Sequence, residues 1–142
     1  RSVFELGSDA WGEDRFWNPT WIKFREAVSL PNAIDDPKEA AFRLQALSRC
    51  LIAYASDMGL VSTAVLPHQS GTSRGDVQMA SLDHSLWIHR SASLDQWLLF
   101  HKRTSTAQGS RGMVHSEFFG ENGTLVASMT QEGLLRKRRD AS

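Results

Sequence analysis

One long helical stretch, from Asp36 to Gly59, constrains the fold of this chain more than any other feature. Asp36 can cap the first turn, Pro37 suits the first helical position, and Glu39 can close a capping box. Gly59 supplies a C-terminal stop. Between them Ala41, Leu44, Leu47, Leu51, Ala55 and Met58 lie along one broad apolar face. Phe42, Ile52 and Tyr54 widen that surface, while Ser48, Cys50 and Ala53 keep the helix slim. The pattern predicts burial on more than one side. At about 1.5 Å per residue the helix would be roughly 30 Å long or slightly more. That is long for a chain of 142 residues, so it is the expected central packing element.

Strand signals surround it. Trp21 to Val28 reads as a strand, ended by Leu30-Pro31-Asn32. After the helix, an apolar run from Leu60 to Leu66 stops at Pro67, and a polar loop covers 68–76. Four further strands are predicted over 78–89, 95–105, 110–120 and 124–135. Ser91-Ala92-Ser93, Ala107-Gln108-Gly109 and Glu121-Asn122-Gly123 mark their turns. Asn122-Gly123 is the strongest hairpin signal, because both residues suit positive φ in a tight turn. The order is strand, long helix, antiparallel meander. One sheet curled around one buried helix would bury both apolar sets. That is the α+β hotdog fold, which pattern alone leaves as one α+β option among several. Residues 1–16 are expected as an arm or linker and 17–136 as the domain. Residues 137–142 are expected as a basic tail, with Arg136 to Arg139 read as solvated charge.

Composition narrows the function classes. Lys plus Arg and Asp plus Glu are 16 each, so no general nucleic-acid footprint is expected. Cys50 is the single cysteine, which excludes an intrachain disulfide and a cysteine-rich metal site. No run of 18 apolar residues is present, so no membrane span is expected. No secretory pattern stands at the front and no Ser-Lys-Leu at the end. An intracellular setting is expected, with the cytoplasm favoured and the peroxisome left open. No phosphate-binding glycine loop is seen, and no cofactor is expected.

Several segments carry a more specific signal. They are Tyr54-Ala55-Ser56-Asp57, the run Thr63 to His68, and Ala80-Ser81-Leu82-Asp83-His84-Ser85-Leu86-Trp87-Ile88-His89-Arg90. Trp97 to Phe100, Ser105 to Gly112, and Ala127-Ser128-Met129-Thr130-Gln131-Glu132-Gly133-Leu134-Leu135-Arg136 follow. In order and spacing they resemble the acyl-CoA thioesterase II family over residues 17–136. Leu-Asp-His-Ser together with Gln-Glu-Gly is the specific pair. The family is usually built from two fused hotdog domains, and this chain resembles the second. The resemblance implies hydrolysis of fatty acyl-CoA by a triad of aspartate, hydroxyl residue and glutamine. On this chain those positions are Asp57, Ser81 and Gln131, with serine where threonine is common.

Thioester hydrolysis needs a water aimed at the carbonyl carbon and stabilisation of the developing oxyanion. Asp57 can draw a proton from that water, and Ser81 and Gln131 can fix its direction. Gln131 could instead donate to the carbonyl oxygen, and backbone N–H groups near Gly59 are further donors. The resemblance favours direct attack by water, which makes Ser81 a positioning hydroxyl and not a nucleophile. Without the resemblance, Asp57 reads as an ordinary helix-end aspartate and Gln131 as a strand polar residue. Strand alternation puts Asp83 and His89 on one face and His84 on the other, so neither a metal site nor a Ser-His-Asp triad is expected. Asp83, His84 and Ser85 are read as a structural network.

The two ends of the substrate ask for different surroundings. An acyl channel could be lined by Leu60, Val61, Trp87 and Met129. Phosphate-bearing groups could meet Arg74, Arg90 and Arg111, with His68 near the coenzyme end. A partner is expected, because hotdog domains pair and their channel runs along the junction. It would be the first hotdog half on another chain, or a second copy of this chain. The competing functions are a hotdog acyl-thioester hydratase or dehydratase and a non-catalytic acyl-thioester binding or assembly domain.

Overall fold

The computed structural model describes residues 4–9, 17–25, 34–68, 74–93 and 95–138. The strands are β1 (Phe4–Asp9), β2 (Thr20–Phe24), β3 (Val77–Ser81), β4 (Ser85–Ile88), β5 (Leu98–Gln108), β6 (Arg111–Gly120) and β7 (Leu125–Lys137). The helices are α1 (Pro37–Ser56) and the short α2 (Leu60–Thr63), with 3₁₀ turns at Leu66–His68 and Arg74–Asp76. Every pairing is antiparallel, in the order β1-β2-β5-β6-β7-β3, with β4 also on β7.

Most of the expected elements are present, and the departures have identifiable causes. The expected arm contains β1, because the open edge of β2 offers a ladder to Phe4–Asp9. The strand expected at Trp21–Val28 is β2, and residues 26–33 lie outside the described residues. Lys137, expected as the start of the basic tail, is the last residue of β7, and residues 139–142 lie outside the described residues. Arg136 and Lys137 pair with Gln78 and Val77, and the Arg138 N–H donates to the Asp76 carbonyl at 2.7 Å. The β6–β7 hairpin forms at Glu121-Asn122-Gly123, but positive φ falls on Gly123 (77°) and not on Asn122. The Gly123 N–H donates to the Gly120 carbonyl at 2.8 Å, while Asn122 Oδ1 accepts from the Thr124 N–H at 3.0 Å. This is a three-residue loop in which asparagine anchors the turn and glycine makes the left-handed step.

Helix α1 starts as its sequence dictates, with Asp36 Oδ1 accepting from the Lys38 N–H at 2.9 Å. No capping box accompanies it, since Glu39 accepts from Arg43 Nε at 2.6 Å along the exposed surface. Burial on several sides is not what the fold delivers. Ser48, Ile52, Ala55 and Ser56 are buried against the sheet, Leu47, Leu51 and Met58 are half-buried, and Ala41 and Leu44 are exposed. Phe42 and Tyr54 face outward at 65% and 62% exposure. A helix on one curved sheet can bury only one face, and here the small Ser48, Ala55 and Ser56 give the close approach. The helical stretch Pro37–His68 also reaches the length and average hydropathy of a membrane-crossing segment, which the count of unbroken apolar residues did not anticipate. Its core residues Ile52, Ala55, Leu60 and Ala64 pack with Phe100, Val114, Phe118 and Met129 of the sheet, while Phe42, Leu44 and Tyr54 remain exposed.

A paired glycine site seats α2. Gly112 and Gly133 are register partners on β6 and β7. A Cβ on Gly133 would meet Val61 Cγ1 at 2.4 Å, and one on Gly112 would meet the Ala64 Cβ at 2.5 Å. Two bare positions side by side therefore let α2 lie directly on the sheet, which fixes the end of α1 relative to β7.

Candidate active site

The strand expected over 78–89 is interrupted, and the interruption makes the site. Strand β3 pairs with β7 from Gly133 to Lys137, and β4 pairs with it from Ala127 to Thr130. Between them Leu82, Asp83 and His84 leave the ladder beside Gln131 and Glu132. The Leu82 N–H donates to the Glu132 carbonyl at 3.0 Å, and Asp83 Oδ1 accepts from the Glu132 N–H at 2.7 Å. The Asp83 carboxylate thus replaces a missing strand carbonyl, which satisfies the backbone and lets the chain break step. It also cancels the alternation argument that separated His84 from its neighbours.

Three elements deliver the expected residues to one point. Asp57 follows the last residue of α1, Ser81 ends β3 and Gln131 lies within β7. Gln131 Nε2 donates to Asp57 Oδ1 at 2.8 Å, and Ser81 Oγ donates to the same oxygen at 3.3 Å. Gln131 is fully buried, whereas Asp57 and Ser81 are exposed. A buried donor therefore pins a carboxylate that remains open to an incoming molecule.

His84 belongs to this cluster, although sequence reasoning left it in a structural network. Its Nδ1–H donates to Gln131 Oε1 at 3.3 Å, and its Nε2 lies 2.8 Å from Ser56 Oγ. Ser56 also donates to the Ala53 carbonyl at 2.7 Å and is fully buried. The Gln131 amide is held at both ends, with its NH₂ on the carboxylate and its oxygen on the imidazole. The available signal was adjacency: Ser56 precedes Asp57, and His84 is three residues from Ser81.

The other expected residues divide by position. Gly59 sits two residues past Asp57 with φ 68°, at the start of α2. Leu60 and Met129 are core residues, Val61 is packed over Gly133, and Trp87 is exposed. His68 and Arg111 line a cavity of about 250 Å³ near the β5–β6 turn, which none of Asp57, Ser81 and Gln131 lines. Arg90 is not brought to the site, since its Nη1 donates to the Leu125 carbonyl at 2.9 Å. Leu125 is six residues from Gln131 along β7, about 20 Å at strand rise. The backbone of Arg74 lies in a 3₁₀ turn, and its side chain lies outside what is described. Among the described residues no group of three or more His, Cys, Asp or Glu side chains is placed to hold a metal.

Residues 37–134 match the model of the acyl-CoA thioesterase family. The chain belongs to that family. It is 38% identical over 90 residues to acyl-CoA thioesterase 2 of Haemophilus influenzae, which covers 63% of this chain and 32% of that protein. It is 41% identical over 93 residues to acyl-coenzyme A thioesterase 8 of Mus musculus, covering 66% of this chain and 28% of that one. The crystal structure of acyl-CoA thioesterase II TesB2 from Mycobacterium marinum superposes with a TM-score of 0.74 at 28% identity. That alignment covers 99% of this chain and 52% of the other. The fold is the hotdog arrangement, and the chain spans only part of the relatives it matches.

Proposed function

We propose that this domain carries the hydrolytic residues of a thioesterase that cleaves fatty acyl-CoA to the fatty acid and coenzyme A. The observation that carries the reading is the convergence of Gln131 and Ser81 on one oxygen of Asp57. With Oδ1 held by two donors, Oδ2 is the base that takes a proton from water. The Ser81 hydroxyl, at the exposed rim, orients that water toward the thioester carbon. Backbone N–H groups at the start of α2, beside Gly59, receive the developing oxyanion. Water attacks, the C–S bond breaks, and the thiolate leaves with the proton returned from Asp57. The Gln131 amide stands between Asp57 and His84, so these two do not form the direct acid–base pair that a hydratase would use.

A second hotdog domain completes the site in this reading. Support comes from the partial coverage of the relatives and from exposed apolar side chains of Phe42, Leu82 and Trp87, the last at 53%. The partner is the first half of a double hotdog, with a second copy of this chain as the alternative. The coenzyme A substrate is consistent with an intracellular, cytoplasmic setting.

Free-thiol release from medium- and long-chain acyl-CoA tests the proposal, using the chain alone and joined to its first half. Activity in the assembled pair that disappears in Asp57→Asn is the expected result. A folded, assembled pair that releases no thiol refutes it.

A further inference from the structure

Donor and acceptor matching around Gln131 fixes more than its position. An ionised carboxylate only accepts hydrogen bonds, so the NH₂ end of the amide must face it. Gln131 Nε2 accordingly meets Asp57 Oδ1 at 2.8 Å. That turns Oε1 toward His84 Nδ1, at 3.3 Å, and requires a hydrogen on Nδ1. Gln131 is fully buried, so water does not substitute for either partner. The far side of the imidazole suits this state. His84 Nε2 lies 2.8 Å from Ser56 Oγ, which is also 2.7 Å from the Ala53 carbonyl. A hydroxyl both donates and accepts. Neutral His84 takes the Ser56 hydrogen at Nε2. Cationic His84 gives its own Nε2–H to Oγ, and the hydroxyl turns to Ala53. Nδ1 keeps its hydrogen in both cases. Ser56 is fully buried and is the last residue of α1, directly before Asp57. The anchor of the imidazole and the carboxylate it serves therefore belong to the same helix end.

The need for this hold arises during turnover. While Asp57 is ionised, its own charge orients the amide. Water then gives a proton to Asp57 as its oxygen bonds to the thioester carbon, and that charge is gone. The neutral acid offers a hydrogen as well as lone pairs, and can present it from either oxygen. An amide turned end for end would accept that hydrogen on Oε1. The proton would then be kept from the departing sulfur, which needs it as the C–S bond breaks. Turning would also set the Gln131 NH₂ against the His84 Nδ1–H, two donors face to face. The amide therefore cannot turn unless His84 first gives up that hydrogen. His84 blocks the turn at the stage where Asp57 no longer does.

We infer that His84 is a positioning residue for the hydrolysis, locking the Gln131 amide through Nδ1–H so that the proton taken by Asp57 passes on to the leaving sulfur. This inference rests on the proposed thioesterase activity. The test compares His84→Ala, His84→Asn and His84→Gln in the assembled enzyme with decanoyl-CoA. Asparagine carries its amide nitrogen on Cγ, where histidine carries Nδ1, whereas glutamine carries it one atom further out, nearer the place of Nε2. His84 is exposed, so each variant should keep the fold, which Tm checks. His84→Ala should lower kcat by about tenfold, the scale of one hydrogen bond lost beside a reacting group, with KM within about twofold. His84→Asn should recover most of that loss, and His84→Gln little of it. The side-chain amide protons of Gln131, followed by NMR, should exchange faster in His84→Ala and His84→Gln than in wild type and His84→Asn. A kcat that falls equally in all three variants, or in none, overturns the inference while hydrolysis by wild type stands. Wild-type enzyme that cleaves no thioester refutes the thioesterase reading instead. The lock is then decided by NMR, where faster exchange in His84→Ala supports it and unchanged exchange overturns it.

Discussion

Replacing Gly133 by alanine probes the contact that ties the site to the sheet. The added Cβ would stand 2.4 and 2.8 Å from Val61 Cγ1 and Cγ2, and 3.1 Å from its Cβ. Carbon atoms pack at about 3.5–4.0 Å, so α2 must retreat by roughly 1 Å. Overpacking of this kind costs about 1–3 kcal/mol, and removing a strand glycine returns about 0.5–1 kcal/mol. The midpoints of these ranges leave an expected net loss of about 1 kcal/mol. For a domain of this size that lowers Tm by roughly 3–4 °C, read by calorimetry or circular dichroism. Activity should fall further than stability. Gly59 opens α2 two residues from Asp57, and a displacement of about 1 Å near reacting groups can cost on the order of 100-fold in rate. Val61→Ala deletes both clashing methyl groups. The double variant should therefore be less destabilised than the two single losses predict, by about 1 kcal/mol. Strict additivity, or a Gly133→Ala enzyme with wild-type Tm and turnover, would refute the reasoning.

Two further perturbations follow from the same geometry. Gln131→Ala removes the donor on Asp57 and the acceptor for His84 from a fully buried position. It should cost about 1–3 kcal/mol in denaturant unfolding and lower kcat by on the order of 100-fold in thiol release. Full activity would exclude Gln131 from the site. His115, bonded to Ser105 on β5 at 3.1 Å, is held below its ordinary pKa of 6.5 by burial and then by Arg103, with Glu117 opposing. Its neutral form is favoured on folding, so its contribution is complete above 6.5 and is lost as pH falls through the lower folded value. His115→Gln should therefore lose less stability than wild type between pH 7 and pH 5, measured by urea midpoints. An equal loss would show that His115 does not contribute to that slope.

The long helix, the antiparallel meander and the three residues around Asp57 were legible before the structure, for different reasons. Asp36-Pro37 and Gly59 bound α1 through local chemistry, which the backbone obeys wherever it is packed. Asp57, Ser81 and Gln131 were legible through resemblance alone, since nothing in their spacing requires them to meet. His84 is hydrogen-bonded as expected, but its place beside Gln131 was not legible, because strand alternation was extended through Leu82–His84, where the Asp83 carboxylate ends the ladder. That substitution depends on β7 lying alongside, a partner 49 residues away in the chain.

Local sequence thus determined where the helix begins and stops and which segments extend, because capping, turn chemistry and side-chain period act over a few residues. The tertiary structure alone decided which face of α1 is buried, that Phe4–Asp9 joins the sheet, and that the basic run ends a strand beside a cavity. Each of these depends on the shape and open edges of a surface assembled from distant parts of the chain. The bare Gly112–Gly133 pair is the clearest instance, since its meaning appears only when Val61 and Ala64 are laid on it.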